Sequence, residues 1–225
     1  SEFGQVLKEG PAEDHANRER IAALLRYATT ANDSDAQDQS LDGYIERMQE
    51  GQDKIYYVTA DSYLAAKNSP HLEIFKQKGI EVILMTDRID EWLVSHLTEF
   101  KGKKLQSVAK GDLDWDKDET EEEKAKKEEA KTEFESVIKQ MKEVLGDKVK
   151  DVRLTDRLTD SPACLIADDM EMSRHLQHLM KAAGQDMPGF KPIMEINPTH
   201  PILTRLHTEQ DDTRFTDWTQ ILFDQ

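Results

Sequence analysis

Between Asp112 and Glu135, twelve acidic side chains stand against five lysines, a local net charge of −7. A stretch of that composition cannot enter an apolar core, so the chain must fold on either side of it rather than through it. Its first half reads as a solvated linker and marks a domain boundary near Lys110–Thr120. Its second half turns helical. Phe134, Val137, Ile138, Met141, Val144 and Leu145 form a periodic apolar face up to Gly146, a residue suited to ending a helix. The acidic bias is global as well: 46 acids against 30 bases in 225 residues give a net charge of −16. Such a charge repels phosphate backbones and argues against nucleic acid as a partner.

The reading therefore divides the chain into 4–110, a linker over 111–123, and 124–225, with Ser1-Glu2-Phe3 set aside as a cloning remnant. In the first part, Pro11 opens a helix whose face is Ile21, Leu24, Leu25 and Ala28, running to about Thr29. Thr30–Ser40 is a loop, and Leu41–Gln49 a short helix with Leu41, Ile45 and Met48 on one side. Lys54–Thr59 (KIYYVT) has strand composition, and Glu81–Met85 (EVILM) reads as a strand covered on both faces. Between them, Asp61 or Ser62 caps one helix, while Ser69-Pro70 starts another that closes at Gly79. Asp87 caps a helix over Arg88–Leu97, and Leu105–Val108 adds a strand. This order predicts an α/β unit, a small βαβ layer with a largely parallel sheet. In the second part, Lys148–Leu154, Pro162–Ala167 and Met194–Ile196 read as strands. Helices follow at Asp168–Gly184, from Asn197 or Thr199 to Leu206, and from Asp211 or Asp212 with Phe215, Trp218, Ile221 and Leu222. That order predicts α+β.

Few groups suggest chemistry. No G-x-G-x-x-G, Walker, G-x-S-x-G, H-E-x-x-H or C-x-x-C pattern occurs. The lone Cys164 cannot form an intramolecular disulfide and suits a reducing cytoplasm, most simply as a small buried hydrophobe. No apolar run is long enough to span a membrane. Glu171, His175 and His178, at i, i+4 and i+7, form a weak metal-like cluster whose plainer reading is a polar helix face. Asp61, Glu73, Asp87, Asp90 and Glu91 invite an acid–base reading, although carboxylates at helix starts usually serve as caps. Trp92 is either core rim or exposed anchor. Met172, Leu176, Leu179 and Met180 form one stripe of the helix over Asp168–Gly184. Residue types alone leave it as core or as an adaptable binding face.

Longer words in the sequence are more specific. KIYYVTADSYLAAKNSPHLEIFKQKGIEVILMTDRIDEWLVSHLTEF, from Lys54, resembles the end of the middle domain of the heat-shock protein 90 chaperones, most closely their bacterial members. VKDVRLTDRLTDSPACLIADDMEMSRHLQHLM and EINPTHPIL resemble their C-terminal domain. The resemblance covers essentially the whole chain after the remnant. It implies a cytoplasmic, homodimeric, ATP-driven chaperone that binds partly folded client proteins and co-chaperones. It also implies that the ATP- and Mg-binding domain lies upstream, and that the chain stops before the last dimerisation helices. This segment is then expected to lack ATPase activity, to hold no cofactor, and to be monomeric or weakly associating. The client-contacting positions it implies are Glu91 and Trp92, with Met172, Leu176, Leu179 and Met180 on a helix projecting towards the cleft between protomers. Leu176 stands where other members have methionine, and Met180 where an aromatic can stand. Two alternatives remain: a dimerisation and spacer module with the Met stripe buried, and a small α/β enzyme using the carboxylates near Asp87–Glu91.

Overall fold

A computed structural model describes residues 3–113, 120–168 and 191–225. The described residues divide into two compact units, one over 3–108 and the other over 109–113, 120–168 and 191–225. Both are mixed α/β.

The first unit is built on a five-stranded sheet of β1 (Ala28–Thr29), β2 (Lys54–Thr59), β3 (Ile83–Met85), β4 (Glu99–Phe100) and β5 (Lys103–Ser107), ordered β1-β3-β2-β5-β4. The centre is parallel, with Tyr57 opposite Ile83 and Ile55 opposite Leu105, and both edges are antiparallel. Ile55–Val58 and Ile83–Met85 are buried throughout, as strands covered on both faces must be. The two edge strands escape the sequence pattern because two residues are too few to show a period.

Seven helices surround this sheet among the described residues: α1 (Gly4–Leu7), α2 (Gly10–Glu13), α3 (Arg18–Leu24), α4 (Leu41–Glu46), α5 (Tyr63–Lys67), α6 (Glu73–Lys78) and α7 (Asp90–His96). The long helix expected up to Thr29 is corrected here. It breaks into α2 and α3, Leu25 turns extended, and Ala28–Thr29 becomes an edge strand on β3. Ala22 and Leu25 face the core, while Leu24 is exposed. Tyr44 is also inward. Its fully buried hydroxyl donates to the Glu81 carbonyl at 2.6 Å and accepts from the Tyr56 amide at 3.1 Å, tying α4 to the sheet. Ser62 caps α5 by accepting from the Ala65 amide. Gly79 ends α6 at φ 66°, the left-handed conformation that glycine adopts without strain.

In the second unit, α8 (Glu121–Leu145) begins at a capping box. The Thr120 hydroxyl accepts from the Glu123 amide, and the Glu123 carboxylate accepts from the Thr120 amide at 2.8 Å. The helix therefore starts inside the span expected to be linker. Of that span, 114–119 lie outside the described residues. Phe134, Val137, Met141 and Leu145 are the buried face of α8. It packs with α9 (Pro201–His207) and α10 (Asp212–Asp224) over a three-stranded sheet. That sheet comprises β6 (Asp151–Leu154), β7 (Ala163–Ile166) and β8 (Ile193–Ile196), with β8 central, parallel to β6 and antiparallel to β7. On α10 Phe215, Thr219 and Leu222 face inward, while Trp218 and Ile221 are exposed. Among the described residues, no helix is long and apolar enough to cross a membrane.

Candidate protein-binding site

Helix α7 is only two turns long, and it is fixed by charge as well as by Leu93, which is buried together with Leu97 just beyond its end. Asp90, at its first position, accepts from the Asp87 amide at 2.9 Å, so the cap runs opposite to the expected one: Asp90 reaches back to Asp87. The Lys8 ammonium donates to Asp90 at 2.6 Å and to Asp87 at 2.7 Å, and lies 5.1 Å from the centre of the Tyr27 ring. Lys8 is only 2% exposed. Gln5 and Gln37 add donors to Asp87. Burial opposes ionisation of Asp87, but Lys8 and the two glutamines outweigh it and hold the carboxyl below its ordinary range. Deeper burial wins at Asp90, which is raised despite Lys8. The two acids are thus joined through one lysine, and their geometry serves to hold α7 in place. Asp61 and Glu73 are not among the partners of Lys8.

With α7 so held, Glu91 turns inward and is only 5% exposed, whereas Trp92 is 50% exposed. The resemblance puts both at a client surface; of the two, only the indole lies open. Its ring is covered in part by His96, one turn on, with ring centroids 4.2 Å apart and planes at 46°. A half-exposed indole on a fixed short helix costs little ordering entropy when it binds, because few torsions remain to be frozen. Met172, Leu176, Leu179 and Met180, and the cluster Glu171, His175 and His178, all lie outside the described residues. Among the described residues, no group of three His, Cys, Asp or Glu side chains is placed to hold a metal ion.

The second unit holds a buried network that sequence reading missed. Register pairs Arg153 with Glu195 and Cys164 with Glu195, so the three stand in a row across the sheet. Glu195, almost fully buried, accepts on one oxygen from Arg153 Nε at 3.1 Å and Nη2 at 2.8 Å. Its other oxygen accepts from Thr155 at 3.0 Å and lies 2.9 Å from Arg157 Nε. Cys164 is buried as expected, its sulfur 3.9 Å from the same oxygen. Arg157 also donates to the Gly111 carbonyl at 2.7 Å, and Arg153 to Asp112 at 2.5 Å, which ties the residues after Ala109 to the sheet. A glutamate inside the apolar run MEINP was the available signal, since a charge there needs a partner.

A family model described as Hsp90 protein matches residues 1–225. The chain belongs to the Hsp90 family. Among its relatives, Chaperone protein HtpG of Coxiella burnetii is 59% identical over 223 residues, covering 99% of this chain and 35% of the relative. HtpG of Burkholderia ambifaria is 60% identical over 225 residues, and that of Dechloromonas aromatica 60% over 223, each again covering 35% of the relative. This Hsp90-family chain thus spans about a third of the length of these relatives. The Burkholderia ambifaria match spans 100% of this chain, the acidic run included.

Proposed function

We propose that this Hsp90-family chain is the client-binding and domain-coupling part of an ATP-dependent molecular chaperone, contacting partly folded proteins through Trp92 and the stripe Met172, Leu176, Leu179 and Met180. The observation that carries this reading is a large aromatic left half open on a helix that buried charge holds in place. Each such side chain contributes about 1.5–3 kcal/mol when fully covered, so a few of them give micromolar, low-specificity binding. The net charge of −16 favours basic or neutral clients through long-range attraction. Glu91 adds negative potential near Trp92 rather than a contact of its own.

ATP and Mg belong to another domain of the full-length protein in this reading, and no step of it passes through them. Co-chaperones, a homodimer and a cytoplasmic setting belong to the same proposal for the full-length protein. The exposed pair Trp218 and Ile221 on α10 favours a second reading, self-association, which light scattering of the chain against Trp218→Ser tests directly. The main reading is tested in the full-length protein by replacing Trp92, Met172 and Leu179 together with serine. Loss of client holding with folding intact is expected; unchanged holding overturns the assignment.

A further inference from the structure

The Trp92 indole is not presented alone. Four residues on, the His96 imidazole packs against it at 4.2 Å between centroids. The imidazole is itself oriented: Nδ1 lies 2.9 Å from the Trp92 carbonyl oxygen and 2.9 Å from the Ser95 hydroxyl, which donates to that same carbonyl at 2.7 Å. A carbonyl can only accept, so the contact with it needs the proton on Nδ1. One face of the indole is therefore occupied by a ring whose rotation is fixed, and an incoming side chain meets the other face and the edge.

We infer that His96 is a positioning residue for Trp92: oriented by Ser95 and the Trp92 carbonyl, it holds the indole in one rotamer as a two-ring platform for apolar side chains of basic unfolded segments. This rests on Trp92 being a client anchor. Freezing the indole before contact removes an ordering cost that binding would otherwise bear, which is how a single aromatic becomes an effective anchor. Basic segments fit because the chain carries a net charge of −16.

The test uses the 225-residue chain with Trp115→Phe and Trp218→Phe, which leaves Trp92 as the only indole. The probe is reduced, carboxamidomethylated ribonuclease A, which is unfolded, basic and free of tryptophan. Trp92→Ala, measured by a labelled probe, is expected to weaken binding about tenfold. His96→Ala should weaken it about 2- to 10-fold, the worth of one aromatic pair, and lower the emission anisotropy of Trp92 in the free chain. His96→Phe should restore both in part, since it packs against the indole but lacks the Nδ1 that orients the ring. If Trp92→Ala weakens binding but His96→Ala changes neither affinity nor anisotropy, the positioning role is wrong and the anchor stands. Failure of His96→Phe to rescue a weakened His96→Ala also overturns stacking as the cause. If Trp92→Ala itself has no effect, the anchor falls and this inference with it.

Discussion

Each unit buries a knot of charge, and the two are built with opposite excess. In the first, one cation, Lys8, serves two carboxylates, Asp87 and Asp90. In the second, two cations, Arg153 and Arg157, serve one buried carboxylate, Glu195, while Arg153 also reaches the exposed Asp112. The lysine is a single point of failure, whereas Glu195 keeps a partner when either arginine is removed. The lysine presents its charge as a compact point that two acids can share from different sides. The arginines present planar forks, and Arg153 places two nitrogens on one oxygen. The first knot fixes the helix that carries Trp92, and the second ties the residues after Ala109 to a sheet. A helix whose hold depends on one side chain is a more sensitive element than a strand held by two.

The largest expected effect follows from that asymmetry. Lys8→Met leaves the buried Asp90 and the part-buried Asp87 without their cation and should cost the first unit about 3–5 kcal/mol, the range for removing one partner of a buried pair. A chain with Trp92 as its only tryptophan reports this unit during urea unfolding, and one with Trp218 reports the other. A loss confined to the Trp92 signal supports the comparison; equal losses in both would break it.

The loss should also depend on pH, and the sign can be stated. In the intact chain Asp87 is lowered, so its contribution is present above its ordinary value of 3.8 and is lost as pH falls through the folded value. Asp90 is raised, so it takes up a proton on folding, and acidification from above its folded value towards 3.8 favours the folded state. The two have opposite sign and act in adjoining windows, Asp90 above 3.8 and Asp87 below it. Without Lys8 nothing offsets the burial that raises Asp90 except its bond from the Asp87 amide, so the penalty of Lys8→Met should shrink between pH 7 and pH ~4.5. A penalty that grows on acidification would mean the carboxylates find another cation.

The next effect is smaller. Arg157→Met leaves Glu195 with Arg153 and Thr155 and should cost about 1–3 kcal/mol, read from Trp218. If it costs as much as Lys8→Met, Arg153 does not compensate and the contrast between the two knots disappears.

Neither knot was legible in the sequence, for a physical reason. Lys8 is 79 residues from Asp87, and Arg153 is 42 from Glu195, while periodicity reports only neighbours along one element. What local pattern can carry was legible: β2 over Lys54–Thr59, the Gly79 stop, the Asp211 cap and the inward face of α8. Phase was harder on short elements. Seven residues of α7 do not separate an inward Glu91 from an outward Trp92, because charge rather than apolar spacing sets its rotation. On α10, threonine took an inward place that hydrophobicity alone would give to Trp218 or Ile221. As for the candidate site, Trp92 was singled out from its sequence position and the family resemblance, while its partnership with His96 needed the helix to be built first.

The smallest effects sharpen the comparison by asking whether each unit tolerates an uncompensated polar group. Each unit buries one hydroxyl with no hydrogen-bond partner among the described residues: Tyr27 in the first, Thr219 in the second. Burial, with Asp90 nearby, drives the Tyr27 phenol far above its ordinary value, so it stays neutral at any working pH. A hydroxyl removed from water without a partner costs about 1–3 kcal/mol, part of which is recovered by an isosteric apolar replacement. Thr219→Val should therefore stabilise the second unit by about 1 kcal/mol, since valine keeps the shape and the β-branch. Tyr27→Phe should stabilise the first by less, because the phenol edge lies in the field of Lys8, whose attraction to the ring survives the change. Denaturation midpoints read from Trp218 and Trp92 distinguish the two. Should Tyr27→Phe destabilise instead, the hydroxyl is satisfied in solution, and the first knot extends one group further than Lys8 and its acids.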